Sequence, residues 1–134
     1  MRARWAAPAD RARQELHAAR VLLDAGLPAQ AIARAAEAVH QIAVAALESA
    51  GETAETDAGV ISAFGRRVVV EGGLDRELGR TPRRLYEDRR HVERALLEPS
   101  AHDARRAIAD AERLLDATRR WIARRARPPA AAAR

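Results

Sequence analysis

The stretch AQAIARAAEAVHQIAVAALESA, residues 29–50, decides the fold. Ile32, Ala35, Ala36, Val39, Ile42, Ala43, Ala46 and Leu47 recur at three- and four-residue intervals, which is one face of an α-helix. Ala supplies half of that stripe, so a neighbouring helix can approach closely. Leu27-Pro28 turns the chain into this helix, and Gly51 stops it.

Helical signals continue on both sides. A first helix is expected from near Ala9 to Ala25, with Leu16, Ala19, Leu22 and Leu23 on one face and Gly26 as its stop. A polar loop over residues 52–57 leads to a third helix from about Ala58 to Val70, with Val60, Ile61, Phe64 and Val68 inward. Gly72-Gly73 breaks it, and Leu74–Arg80 allows one more helical turn. Thr81-Pro82 reads as an N-cap and a first helical position, opening a helix to about Leu97 with Leu85, Val92 and Leu96 inward. Ser100 and Asp103 form a capping-box pattern with Asp in the Glu position. The helix they open runs to about Arg125, with Ala104, Ile108, Ala111, Leu115 and Ile122 inward. Val68–Val70 is too short and isolated to make a sheet. The fold class expected is therefore all-α, an antiparallel bundle of four to five helices. Residues 1–8 read as an N-terminal arm, 9–125 as the bundle and 126–134 as a disordered tail.

Composition removes several functions. The 134 residues include no Cys, so disulfides, zinc-thiolate sites and thiol nucleophiles are excluded. Aromatics are 3%, too few for the base-stacking surface of a single-strand binder. No apolar run approaches the roughly 20 residues of a membrane span, and residues 1–10 lack a signal-peptide core. The expected location is the cytoplasm. All 24 basic residues are Arg, and they are unevenly placed. Residues 1–65 carry 6 Arg against 8 acids, whereas residues 66–134 carry 18 Arg against 11 acids. The second half can attract a polyanion, through Arg66, Arg67, Arg83, Arg84, Arg89, Arg90 and Arg94. The same residues would equally serve as a solvated helical face.

No phosphate loop, His-Glu-x-x-His or nucleophile elbow is present. His17, His40, His91 and His102 are too scattered for a local metal motif, so neither metal nor cofactor is expected. Arg34 and His40 lie six residues apart, about 120° around a helix, so they form no local pair. His40 reads as a partly buried helix residue with a hydrogen-bond partner. The richest cluster is Tyr86-Glu87-Asp88-Arg89-Arg90-His91-Val92-Glu93-Arg94. It combines guanidinium groups suited to phosphate with an imidazole suited to moving a proton near neutral pH, and from spacing alone it also reads as a solvated helix face with Glu87–Arg90 and Glu93–Arg89 as surface pairs.

Three pieces of the chain, in this order and spacing, resemble the HEPN superfamily, and in particular its small stand-alone bacterial members. They are Gly59–Gly65, Gly73–Arg80 and Leu85–Arg89, supported by Ala31–Ala35 and Ala111–Leu115. The resemblance runs from about Arg11 to Ile122. It implies a helical bundle that dimerises with a second copy, related to toxin–antitoxin or defence ribonucleases acting on RNA. It also implies a cognate antitoxin such as a nucleotidyltransferase-like protein. The family motif is an Arg followed, after four to six residues, by His or Tyr. Arg89 matches the Arg, and Arg94 stands where His or Tyr is expected. The chain also departs at Ala36 and Glu37, where paired Tyr is expected, and at Asp57, where His is expected.

A guanidinium, with a pKa above about 12, neither takes nor gives a proton readily, but it binds phosphate. The function implied is binding of nucleotide, RNA or a partner protein through Arg89, Arg90 and Arg94, with little or no catalysis. One alternative is an active metal-independent endoribonuclease in which Arg89 holds phosphate and His91 moves the proton. The other is a non-enzymatic helical interaction module.

Overall fold

The computed structural model describes residues 2–94 and 98–126. Its helices are α1 (Ala6–Asp24), α2 (Pro28–Ser49), α3 (Asp57–Phe64), α4 (Arg76–Gly79), α5 (Thr81–Glu93) and α6 (Ala101–Ala126), with a π-helical segment, Gly65–Val70, continuing α3. No strand occurs among the described residues. None of their helices is long and apolar enough to cross a membrane. The fold is the all-α bundle the periodicity implies.

The Ala-rich helix is its centre. α2 packs against α1, α3, α5 and α6. Ala31, Ala35, Ala38, Ala43, Ala45 and Ala46 are completely buried between them. A helix with apolar residues on more than one face is what a central position demands. The small side chains let neighbouring helices approach, but that surface is used up within the protomer. α1 and α5 run antiparallel to both α2 and α6. Ion pairs tie these helices together: Arg34 to Glu15, Arg20 to Glu112, Arg84 to Asp110 and Arg89 to Glu37.

Local chemistry sets the boundaries. α1 begins at Ala6, inside the segment read as an arm, and Trp5 already packs on the core. Pro8 is accommodated because first-turn amides need no intrahelical acceptor. Gly26 leaves α1 at φ 80°, a conformation that favours glycine. Thr56 caps α3 by accepting the Gly59 amide at 2.9 Å.

The third helix reaches Val70 as expected, but not as α-helix throughout. It widens into the π segment at Gly65, where a weak helix former precedes three β-branched valines. Val68 is buried there, Val69 lies against Gly79, and Val70 is 80% exposed. Thr81 does not cap α5. It is the helix's first residue, buried at 2% exposure, and Arg80 precedes it without a side-chain cap. α4 leads directly into α5, so there is no separate entry for Thr81 to cap. α5 ends at Glu93 rather than Leu97, so Leu96 lies outside the described residues. The Ser100–Asp103 box forms: the Ser100 amide donates to Asp103 at 2.9 Å, and the Asp103 amide donates to Ser100 Oγ at 3.1 Å. α6 continues through Ala126, and the rest of the expected tail lies outside the described residues.

Candidate functional site

On α5, Pro82, Tyr86 and Arg89 follow one another at four- and three-residue steps, so all three face the same way. They meet Ala36, Val39, His40 and Ala43 of α2 and Asp57, Val60 and Ile61 at the start of α3. These residues line a narrow cavity of about 20 Å³. A cavity of that size admits a water rather than a nucleotide. Any larger ligand would have to lie outside it, against the part-exposed side chains of Arg89, His40 and Asp57.

Arg89 is the pivot. Its Nε donates to Glu93 Oε2 at 3.0 Å, and its Nη1 donates to Glu37 Oε1 at 3.2 Å. Gln41 Nε2 holds the other Glu37 oxygen at 2.9 Å. Nη2 of Arg89 makes no hydrogen bond among the described residues. Partial burial disfavours the charged guanidinium. The hydrogen bond to Glu93 and the charges of Glu93, Glu37 and Asp57 outweigh that burial and hold Arg89 above its ordinary value. Beside it, His40 Nδ1 lies 3.6 Å from Asp57 Oδ1. Asp57 stands in the first turn of α3, where the helix dipole favours a carboxylate.

The expected site residues separate in space. His91 is two positions from Arg89, and residues at that spacing point to different sides of a helix. It is exposed and lies toward Asp88, whose carboxyl is pushed up by burial against the pull of Arg84, His91 and Arg106. Arg90 is exposed and sits 5.8 Å from the centre of the Tyr86 ring, on the rim of the cleft. Arg94 is the exposed C-cap residue of α5. Only Arg89 of the three arginines lines the cleft.

Much of the basic excess is answered locally. Arg66 pairs with Glu52 and Glu71, Arg67 with the same two, and Arg84 with Asp110. Arg83 has no ion pair among the described residues.

Glu37, His40, Asp57 and Tyr86 complete the cleft and were not among the expected site residues. A signal for three of its positions was present. Ala36, Glu37 and Asp57 are places where the chain departs from the motif pattern. Ala36 and Asp57 line the cavity around Arg89, and Glu37 pairs with Arg89.

A family model described as the HEPN domain matches residues 8–121. The chain belongs to the HEPN family. The match takes in all of α2 to α5 and most of α1 and α6, so the cleft lies wholly within the HEPN domain. A search of curated proteins returns no match.

Proposed function

We propose that this HEPN protein binds a phosphate-bearing ligand, an RNA strand or a nucleotide, at the mouth of the α2–α3–α5 cleft. We also infer that its Arg89–Arg94 motif contributes little or no cleavage. The observation that carries the reading is the state of Arg89. Two sides of its guanidinium are fixed by Glu93 and Glu37, and Nη2 has no hydrogen bond among the described residues, on a side chain that lines the cavity and is 32% exposed. A guanidinium held in one orientation binds an anion at lower entropic cost than a free one. Weak motif catalysis is supported by Arg94, which is both a poor proton carrier and displaced to the end of α5. The pair Arg89 and His91 gains no support from the geometry, because the two side chains diverge.

In this reading the protein is cytoplasmic and related to toxin–antitoxin or defence systems. It works as a homodimer alongside a cognate partner of the nucleotidyltransferase-like kind. The test is equilibrium binding of labelled single-stranded RNA and of a mononucleotide across a salt series. Affinity should be modest and fall as salt rises, with a log–log slope near −0.7 per phosphate contact. Arg89→Ala should weaken it by about tenfold, the value of one charge-assisted contact. If the unmodified protein binds neither ligand at low salt, the interaction-module reading replaces this one.

A further inference from the structure

Asp88 and Arg106 line one cavity of about 270 Å³ between α2, α5 and α6, and neither makes an ion pair among the described residues. We propose that this cavity binds a free aliphatic amino acid, its ammonium group on Asp88, its carboxylate on Arg106 and its side chain against the apolar wall. The site is separate from the Arg89 cleft and does not depend on phosphate binding there.

The spacing of α5 creates it. Arg84, Asp88 and Val92 follow one another at four-residue steps and so share a face of that helix. Pro82, Tyr86 and Arg89 occupy a different face, and the two cavities have no lining residue in common. Ile32 of α2, Val92 of α5, Ala107 of α6 and Pro99 ahead of α6 supply the apolar wall. A cavity of about 270 Å³ lies just under the size that encloses drug-sized ligands, so it suits a smaller molecule.

Five charged side chains line the cavity, and three of them are already engaged. Arg84 donates to Asp110 at 2.9 Å, Asp110 also accepts from Arg113, and Asp103 accepts the Ser100 amide at 2.9 Å. That leaves Asp88 on α5 and Arg106 on α6. Burial pushes the Asp88 carboxyl up against the charges of Arg84, His91 and Arg106, and no hydrogen bond reaches it among the described residues. A ligand ammonium supplies the missing donor as a charge-assisted bond, and the Arg106 fork matches a carboxylate. A lone anion would meet a lining of three Asp against two Arg, and a lone cation would leave Arg106 unanswered. A small molecule carrying both charges answers both groups, and the apolar wall favours an aliphatic side chain on it.

The experiment titrates the full chain with L-leucine by isothermal calorimetry. Isoamylamine, which lacks the carboxylate, and isocaproate, which lacks the ammonium, are titrated in parallel. We expect saturable binding of L-leucine with a Kd of about 1 mM or tighter, and binding of either partial ligand weaker by about tenfold or more. Asp88→Asn and Arg106→Gln should each weaken L-leucine binding by about tenfold, the scale of one charge-assisted contact. Asp88→Asn removes a charge that burial disfavours, so the variant should fold, and an unchanged circular dichroism spectrum separates lost binding from lost structure. Arg105→Gln, exposed on α6 and outside the cavity, should leave binding unchanged. Absence of L-leucine binding to the folded protein would overturn the proposal. So would isoamylamine that binds as tightly as L-leucine, or affinity that survives Asp88→Asn.

Discussion

Arg89 and Glu37 stand 52 residues apart in sequence, and Nη1 of one lies 3.2 Å from Oε1 of the other. The pair ties α5 to α2 at the cleft and also places a carboxylate in competition with any incoming anion. Glu37→Gln keeps an acceptor and removes that charge. It should tighten RNA or nucleotide binding by about threefold, the scale of a half-exposed ion pair. Titration by fluorescence anisotropy reads this, and weaker binding by the variant would show that Glu37 helps to hold the ligand.

Gly72 is where the π segment turns toward α6. A Cβ there would lie 2.6 Å from the Val68 carbonyl oxygen and 2.7 Å from Trp121 Cζ2. Trp121 Nε1 donates to the Gly72 carbonyl at 2.9 Å, so the indole cannot simply withdraw. Gly72→Ala should cost about 1–3 kcal/mol in urea unfolding, as overpacking does. A neutral result would mean that the segment yields.

Legibility in the sequence divides along the same line as local and long-range structure. The α2 stripe and the Ser100–Asp103 box are written in neighbouring residues, and both form as read. The π segment was not legible, because Val68–Val70 fits several backbones and the choice depends on Val68 packing inward while Val69 meets Gly79. Thr81 was misread because Thr before Pro looks the same whether it caps or packs. Of the cleft, Arg89 alone was read as a site residue, while Ala36, Glu37 and Asp57 stood out only as departures from the motif pattern. Arg34 and His40 were compared within one helix, whereas the groups they meet are Glu15 on α1 and Asp57 on α3. A spacing rule sees one helix, and this site takes its polar groups from three.

Thr118 is completely buried on α6, and its Oγ1 has no hydrogen-bond partner among the described residues. Nothing in the structure explains the hydroxyl. Thr118→Val keeps the shape and removes the unsatisfied group, so it should stabilise the fold by about 1 kcal/mol. Thermal unfolding at fixed pH reads the change, and a lower melting temperature would show that the hydroxyl has a partner.

Asp88 supplies a pH test. Burial pushes its carboxyl up, against the charges of Arg84, His91 and Arg106. A carboxyl raised on folding binds its proton more tightly in the native state. Its contribution to stability is therefore present below the ordinary carboxylate range and is lost as pH rises through the raised value. Asp88→Asn should be more stable than the natural protein at pH 7, and this advantage should shrink as pH falls through the raised value and be gone below the ordinary carboxylate range. An advantage that instead grows on acidification would reverse the assigned sign.

The central claim is that Arg89 holds a phosphate at the cleft mouth, and locating a bound phosphate mimic tests it most directly. Crystals of the full chain soaked in tungstate would show the anion by anomalous scattering. The account predicts a peak within hydrogen-bonding distance of Arg89 Nη2, bordered by His40 and Tyr86. Tungstate bound only elsewhere, such as along the exposed Arg119, Arg120, Arg124 and Arg125 of α6, with Arg89 still held by Glu37 and Glu93, would contradict it.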